Sequence, residues 1–155
     1  MRVRPVFPIH DIDYDASVAR LLRDAALPTT DLPHSRVRFL GAVDGSRLLG
    51  CVALEDCGDD ALLRSLAVAP SARGAGLGAA LLAAAEDFAS AQGRADLYLL
   101  TTDAAAFFTA RGYASAVRAE APPGIAATAQ FSGLCPASSH FMRKRLPAGD
   151  ASPGR

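Results

Sequence analysis

The chain has 155 residues, a length typical of one domain, and half of its residues are hydrophobic. Sixteen basic residues balance sixteen acidic ones and 21% of the chain is charged, a composition that excludes an intrinsically disordered protein. The balanced charge also argues against a nucleic-acid partner, and no apolar run has the length needed to span a bilayer. We therefore expect one domain over residues 1–146, with a flexible tail over 147–155.

Cysteine usage indicates the cellular compartment and the metal chemistry. The chain has three cysteines, an odd number without a Cys-x-x-Cys pair: Cys51, Cys57 and Cys135. The three histidines also lack the spacing of metal ligands. No uninterrupted apolar signal sequence follows Met1. These features predict free, buried thiols, no metal and a cytoplasmic location.

The first half of the chain predicts a strand, a helix and then an antiparallel meander. Residues 2–7 favour a strand, and the apolar spacing after Asp15 favours a helix that stops before Pro28. Three strand-like runs follow, over residues 37–43, 47–54 and 61–68. They are joined by two predicted tight turns, at residues 44–46 and 56–60.

The second half alternates helices with strands. Helices are predicted over residues 76–92 and 104–111, and strands over 96–101, 113–117 and 140–146. The intervening segment 121–138 is long for a loop, so it is interpreted as a functional flap or a crossover that helps to form an acceptor site. The predicted fold class is α+β in three layers, with helices on both faces of a mixed, mostly antiparallel sheet of six or seven strands.

A glycine-rich turn between a strand and a helix carries the densest functional signal: Val68-Ala69-Pro70-Ser71-Ala72-Arg73-Gly74-Ala75-Gly76-Leu77-Gly78. Glycines let a ligand approach the backbone, and the free N–H groups at a helix start attract phosphate oxygens. The turn therefore predicts a phosphate-bearing ligand. A P-loop is excluded, because Ala79 and Ala80 stand where a lysine and a hydroxyl residue are required.

A dinucleotide-binding fingerprint is a second interpretation of this turn. Gly74, Gly76 and Ala79 match Gly-x-Gly-x-x-Ala, and Asp103 follows at the distance of a ribose-binding acid. However, five residues separate Val68 from the first glycine, whereas the fingerprint follows its strand directly. An oxidoreductase of this type would show saturable binding of NAD(P).

The third interpretation uses the whole turn. Val68-x-Pro70 followed by Arg73-x-x-Gly76-x-Gly78 resembles the acetyl-CoA pyrophosphate loop of the GNAT N-acetyltransferase superfamily. Ala104-x-x-Phe107-Phe108-x-x-x-Gly112-Tyr113 resembles its second signature, and the order of elements agrees over residues 2–118. The resemblance implies an acetyl-CoA-dependent enzyme whose sheet splays at the loop and whose amine substrate attacks the thioester directly. A homodimer is common in the superfamily and is expected here.

The resemblance also assigns the cofactor contacts. It implies that backbone N–H groups of the loop hold the pyrophosphate: Arg73, Gly74, Ala75, Gly76, Leu77 and Gly78. It implies that the preceding strand pairs with the pantetheine through Leu66, Ala67 and Val68, with a backbone N–H near Leu66 meeting the thioester carbonyl. The second signature adds Phe107 and Phe108, and Thr101 is added as the residue that stands where an asparagine is common in the family. No metal is implied.

The predicted catalytic base is Glu55, which ends the strand beside the 61–68 strand and can act through a water molecule. The alternative is a solvated glutamate at a turn. Arg64 and Ser65 are predicted substrate ligands, because an arginine inside an apolar strand suits a carboxylate or phosphinate group. The alternative for Arg64 is a side chain whose head reaches solvent.

The catalytic acid departs from the family pattern. Many superfamily members have a tyrosine where this chain has Phe108, and that tyrosine protonates the departing thiolate. Tyr113 is the predicted substitute, with Thr101 or water as alternatives, and a thiolate of low basicity can also leave unassisted. A non-catalytic CoA-binding or regulatory module of the same fold is the alternative function.

A finer resemblance concerns three further segments, at residues 61–68, 98–108 and 134–146. They are similar to the small acetyltransferases of bacterial arsenic-resistance operons. This resemblance implies an amino-acid-like amine substrate, such as arsinothricin or phosphinothricin, and a role in arsenic resistance or detoxification.

Overall fold

The structure is a computed structural model that describes residues 7–34 and 36–147. The strand expected over residues 2–7 lies outside the described residues except for Phe7, and so does the expected tail except for Pro147. The chain divides into two compact units. Unit 1 comprises Met1–Ala53 and Ser65–Ala85, and unit 2 comprises Leu54–Arg64 and Glu86–Arg155. The expectation of one domain therefore stays a prediction.

Within residues 7–34 and 36–147, seven strands form the sheet. They are β1 His10–Ile12, β2 Val37–Asp44, β3 Arg47–Cys57, β4 Asp60–Val68, β5 Asp96–Thr101, β6 Ala114–Ser115 and β7 His140–Arg145. Neighbouring strands hydrogen bond in the order β1-β2-β3-β4-β5-β7-β6. β4 and β5 pair in parallel, whereas β1/β2, β5/β7 and β6/β7 pair antiparallel. The predicted α+β fold with a mixed sheet is confirmed, although β6 is shorter than the expected strand over residues 113–117.

The helices are α1 Ala16–Asp24, α2 Leu77–Ala91, α3 Ala105–Thr109 and α4 Pro123–Ala126. Short 3-10 turns cover Pro70–Ala72 and Arg118–Glu120, and a π-helical turn covers Gln130–Leu134. The 121–138 segment is therefore partly helical. No helix within the described ranges combines the length and the apolar character needed to cross a membrane.

Unit 1 is built around α1 and the start of α2. Asp15 caps α1 by accepting a hydrogen bond from the Val18 backbone N–H at 3.1 Å. The helix buries Val18 and Leu22 in one apolar cluster with residues of three strands: Phe39, Cys51, Ala53 and Ala67. A Cβ atom at Gly50 would lie 2.9 Å from Leu81 Cδ1 and 3.0 Å from the Ala67 carbonyl oxygen. Glycine at this position therefore lets α2 approach the strand closely.

Unit 2 is built around the β5–β7 ladder, which pairs all six residues of each strand. A cluster of buried apolar side chains joins the sheet to the 121–138 segment: Leu62, Tyr98, Ile125 and Phe141. A Cβ atom at Gly124 would collide with the Cys57 carbonyl oxygen, so α4 lies directly against β3. The segment interpreted as a flap is thus docked on the sheet through an apolar contact.

Candidate active site

The glycine-rich turn lies in unit 1 between β4 and α2. The Ala69 N–H donates to the Leu49 carbonyl oxygen at 2.8 Å, and α2 begins at Leu77. Gly74 and Gly76 have φ angles of +84° and +85°, a left-handed conformation that strains residues with a Cβ atom. A Cβ at either position would meet no atom within 4 Å. The backbone conformation, and not crowding, therefore requires glycine.

The turn presents backbone donors at an exposed position. Residues 73–76 are exposed, and the first helical hydrogen bond runs from the Ala80 N–H to the Gly76 carbonyl oxygen at 3.0 Å. By position, the N–H groups at the start of α2 lack helical acceptors, and the helix dipole adds partial positive charge there. The Arg73 side chain donates back to the Val68 carbonyl oxygen at 3.3 Å and closes the turn. This arrangement suits a pyrophosphate group.

The strand before the turn changes conformation at Ser65. Its φ angle is +60°, although it is a buried, non-glycine residue inside β4. The left-handed conformation costs about 1–2 kcal/mol for such a residue, and strain of this kind concentrates at functional sites. The Cys51 thiol donates to the Ser65 carbonyl oxygen at 3.4 Å. The regular alternation of β4 is therefore interrupted immediately before Leu66, Ala67 and Val68.

In unit 2 the structure brings Glu55 and Arg64 together. Arg64 Nη1 lies 3.1 Å from Glu55 Oε1, and the side chains are 0% and 7% exposed, respectively. Burial shows that two alternatives from the sequence are wrong: Glu55 is not a solvated turn residue, and the head of Arg64 does not reach solvent. The carboxylate that Arg64 binds in this structure belongs to the chain itself.

Cys51 is buried, whereas Cys57 and Cys135 are half-buried. Burial raises the pKa of the Cys51 thiol to about 12. Burial also raises the pKa of Cys57 to about 12, and the Glu55 carboxylate contributes in the same direction. The three cysteines form no disulfide within the described residues. Within residues 7–34 and 36–147, no group of histidine, cysteine and acidic side chains has the arrangement of a metal site.

Tyr113 lies in unit 2 with its hydroxyl already engaged. The hydroxyl donates to Glu86 Oε2 at 2.8 Å, and Lys144 Nζ donates to Glu86 Oε1 at 3.0 Å. Burial raises the pKa of Tyr113 above its ordinary value, and the Glu86 carboxylate raises it further. The Tyr113 ring packs edge-on against Phe108, with the centroids 5.5 Å apart. These contacts favour a structural role, and the acid role of Tyr113 stays a prediction.

The remaining predicted cofactor contacts surround α3, also in unit 2. Thr101 Oγ1 accepts a hydrogen bond from the Ala104 N–H at 3.1 Å, at the entry to this helix. The Arg111 guanidinium lies 3.8 Å from the centre of the Phe107 ring. Phe108 is buried. Thr101 and the aromatic pair therefore cluster around one short helix, while the loop residues and Leu66, Ala67 and Val68 belong to unit 1.

Gln130 is a candidate that the sequence did not single out. It is 4% exposed in the π-helical turn, yet its side-chain amide makes no hydrogen bond to any residue that the structure describes. The turn is anchored by Thr128, whose hydroxyl donates to the Ile125 carbonyl oxygen at 2.7 Å and accepts from the Phe131 N–H. π-Helical turns are frequent at functional sites. The length of the 121–138 segment was the only sequence signal for this residue.

The sequence matches one known domain family over most of the sheet. Residues 35–115, about half of the chain, match the profile of the acetyltransferase (GNAT) domain. No curated protein sequence matches the chain significantly.

Solved structures with a similar fold include complexes with coenzyme A. N-acetylglutamate synthase from Neisseria gonorrhoeae, complexed with coenzyme A and N-acetyl-glutamate, is 25% identical with a TM-score of 0.75. The match covers 94% of this chain but 36% of that protein, so this chain spans about a third of its length. A Klebsiella pneumoniae protein assigned to the acyl-CoA N-acyltransferases is 27% identical with a TM-score of 0.68, and the match covers 91% and 98% of the two chains. A Streptococcus agalactiae acetyltransferase shares the fold at 18% identity and a TM-score of 0.70, covering 90% of this chain and 98% of that one.

Proposed function

Because the chain belongs to the GNAT acetyltransferase family, we propose that it is an acetyl-CoA-dependent N-acetyltransferase acting on a small polar amine. The observation that carries this proposal is the exposed turn before α2, where Gly74 and Gly76 have positive φ angles. The turn offers backbone N–H groups at the start of a 15-residue helix. It therefore fits the pyrophosphate of the co-substrate.

The co-substrate contacts follow the strand and the turn. The N–H groups of residues 73–78 hold the pyrophosphate, and Leu66, Ala67 and Val68 pair with the pantetheine through their backbone. Thr101, Phe107 and Phe108 add contacts near α3. The left-handed conformation at Ser65 supports this assignment, because it changes the direction of the β4 backbone just before the predicted pantetheine strand.

The reaction is a direct acyl transfer. Glu55 accepts a proton from the substrate ammonium through a water molecule, and the neutral amine attacks the thioester carbonyl carbon. A backbone N–H near Leu66 stabilises the oxyanion of the tetrahedral intermediate. The carbon–sulfur bond then breaks, coenzyme A leaves as a thiolate, and the nitrogen of the new amide gives its remaining extra proton to water. The low basicity of the thiolate makes a dedicated acid dispensable. Tyr113 is the candidate acid if one is used.

The acceptor class is proposed to be amino-acid-like. The Neisseria gonorrhoeae neighbour was solved with N-acetyl-glutamate, an acetylated amino acid. The segments at 61–68, 98–108 and 134–146 support acceptors such as arsinothricin or phosphinothricin and a role in arsenic resistance or detoxification. Ser65 and the 121–138 segment, including Gln130, contribute to the acceptor side. A cytoplasmic location and a homodimer belong to the same proposal.

A non-catalytic CoA-binding or regulatory module is the second candidate. Phe108 favours it, because this residue lacks the hydroxyl that many family members use at the same position. Such a module binds coenzyme A and releases no thiol with any amine.

Thiol release from acetyl-CoA by the purified protein tests the proposal. The amine panel contains phosphinothricin, arsinothricin, glutamate, aspartate and polyamines. We expect release with an amino-acid-like amine, and a drop of about 10²-fold or more in Glu55→Gln. Glu120→Gln, which changes an exposed glutamate of the same unit, is the matched control and keeps the wild-type rate. Binding of coenzyme A without turnover of any amine would support the regulatory module instead.

A further inference from the structure

We propose that Arg64 is a positioning residue that holds the Glu55 carboxylate ready to accept a proton, and that it does not bind the acceptor's own carboxylate. This inference rests on the proposed function, because it assigns a partner to the predicted base. It replaces the substrate-ligand role that the sequence suggested for Arg64.

The geometry joins two neighbouring strands on one face of the sheet. Leu62 of β4 lies in register with Tyr98 and packs with Ile125 in the apolar cluster of unit 2. Arg64 follows two residues later and therefore points to the same face as Leu62. There its guanidinium meets Glu55 of β3, nine residues earlier in the chain. The two-residue turn between β3 and β4 fixes this register.

The contact with Arg64 involves one of the two carboxylate oxygens of Glu55. Oε1 is held by Arg64 Nη1 at 3.1 Å. Oε2 makes no hydrogen bond within the described residues, and no buried side-chain atom among those residues lacks a partner. Oε2 is therefore not fully enclosed and retains contact with the space outside the protein. A carboxylate with one oxygen anchored and the other open is oriented for proton transfer through water.

Stability alone does not account for this pair. Removing two charges from water is costly, and the attraction between them usually offsets that cost only in part. Apolar residues of similar volume would fill the same space in an otherwise apolar part of β4. A carboxylate that must stay charged and aligned, however, needs a fixed cation, and the planar guanidinium of arginine supplies one.

The charges around Glu55 show which group holds its carboxylate. From β4 the guanidinium of Arg64 faces it, and on its own strand the Cys57 thiol lies close enough to be affected by its charge. Asp56 and Asp60 act on the same thiol and add negative charge nearby. Replacing Arg64 with a neutral residue leaves negative and neutral groups only in this set, so the Glu55 carboxylate loses the cation that orients it.

Carboxyl NMR measures this contact without any turnover. The chain has three glutamates, Glu55, Glu86 and Glu120, so labelling glutamate with ¹³C at the side-chain carboxyl gives three signals. Glu55→Gln assigns the relevant signal. In Arg64→Gln we expect the chemical shift of this signal at neutral pH to move from its wild-type position, because the guanidinium 3.1 Å from Oε1 is gone. Arg145→Gln, which removes a largely exposed partner of Asp96, is the matched control and leaves the Glu55 signal in place.

Kinetics with the best acceptor from the amine panel give the second readout. We expect Arg64→Gln to lower kcat on the order of 10²-fold at neutral pH and to leave the KM for the acceptor near its wild-type value. Arg64→Lys keeps the charge without the planar guanidinium, so kcat falls by less than in Arg64→Gln. The KM for acetyl-CoA stays unchanged in both variants.

Four results decide between the inference and its alternatives. An unmoved Glu55 carboxyl signal in a folded Arg64→Gln protein contradicts the pairing. A raised acceptor KM with unchanged kcat assigns Arg64 to substrate binding instead. If Arg64→Gln does not fold, Arg64→Lys carries the test, and an unchanged kcat in that variant contradicts a positioning role. Failure of the wild-type protein to acetylate any amine contradicts the proposed function, while the NMR signal still decides the pairing.

Discussion

The Tyr113 hydroxyl donates a hydrogen bond to Glu86 Oε2 at 2.8 Å, while Lys144 of β7 holds the other oxygen of the same carboxylate. Lys144 Nζ also donates to the Arg111 carbonyl oxygen at 3.0 Å. Glu86 of α2 is thus the centre of a small network that joins α2, the end of α3 and the last strand within unit 2. The Tyr113 hydroxyl, the predicted acid, is therefore already engaged in a hydrogen bond of this network.

Tyr113→Phe is expected to destabilise the protein without abolishing activity. The substitution removes a hydrogen bond to a charged group and leaves Glu86 Oε2 without its donor, at a cost of about 1.5–3 kcal/mol in the free energy of unfolding. Urea unfolding measures that cost. We expect kcat to stay near its wild-type value, whereas loss of a general acid would lower it by about 10²-fold or more. A drop of that size would assign the acid role to Tyr113.

Tyr14→Phe provides the control for this variant. The Tyr14 ring packs against Phe39 in unit 1, and its hydroxyl makes no hydrogen bond within the described residues. Removing this hydroxyl should change neither the stability nor the rate, so the effect at Tyr113 can be attributed to Glu86.

Gly76→Ala is expected to weaken the binding of coenzyme A. An alanine at a φ angle of +85° costs about 1–2 kcal/mol, and the turn can relieve this strain only by moving its N–H groups. We expect the Kd for coenzyme A, measured by calorimetry, to rise about tenfold. Gly45→Ala is the matched control, because Gly45 also has a positive φ angle and open space around its Cβ position but lies in the β2–β3 hairpin. The control should lose similar stability and keep its affinity, and equal loss of affinity in both variants would contradict the assignment.

Gln130→Met is expected to affect acceptor binding and not stability. Methionine has a similar shape, and the amide, which makes no hydrogen bond within the described residues, is not fully buried because no buried side-chain polar atom there lacks a partner. The free energy of unfolding should therefore change by no more than about 0.5 kcal/mol. If the amide binds a polar group of the acceptor, the KM for the acceptor rises about 2–10-fold. Steady-state kinetics and urea unfolding report the two effects separately. The exposed Gln92→Met should change neither quantity, and an unchanged acceptor KM in Gln130→Met would remove this residue from the acceptor side.

Cys51 makes stability depend on pH in the alkaline range. Burial raises the pKa of this thiol from 9.0 to about 12, so the unfolded chain releases the proton at lower pH than the folded protein does. The contribution of Cys51 to stability is therefore complete below pH 9 and is lost as the pH rises towards 12. Between pH 8 and pH 10 we expect the wild-type protein to lose about 1 kcal/mol more than Cys51→Ala. Urea unfolding at both pH values, under reducing conditions, checks the difference, and equal losses would contradict it.

Local patterns in the sequence were sufficient to predict most of the secondary structure. The helix that begins after Asp15, the strand over residues 96–101 and the three strands of the meander all occur, because apolar periodicity and turn residues act over a few neighbouring positions. The strand predicted over residues 113–117 is longer than the observed β6, and the helical turns inside the 121–138 segment were not predicted. These features depend on packing against distant residues such as Cys57 and Phe141, which no local pattern encodes.

The sequence by itself determined the family and the position of the glycine-rich turn. Both depend on residue types at short spacing, such as Arg73, Gly74 and Gly76, whose backbone conformation follows from the absence of a Cβ atom in the two glycines. The tertiary structure alone decided the partners of the candidate site residues. It paired Arg64 with Glu55, attached Tyr113 to Glu86, enclosed Gln130 and strained Ser65. The physical reason is that charge pairing and burial join residues from different strands and helices, and their distances are set only when the sheet and its covering segments pack together.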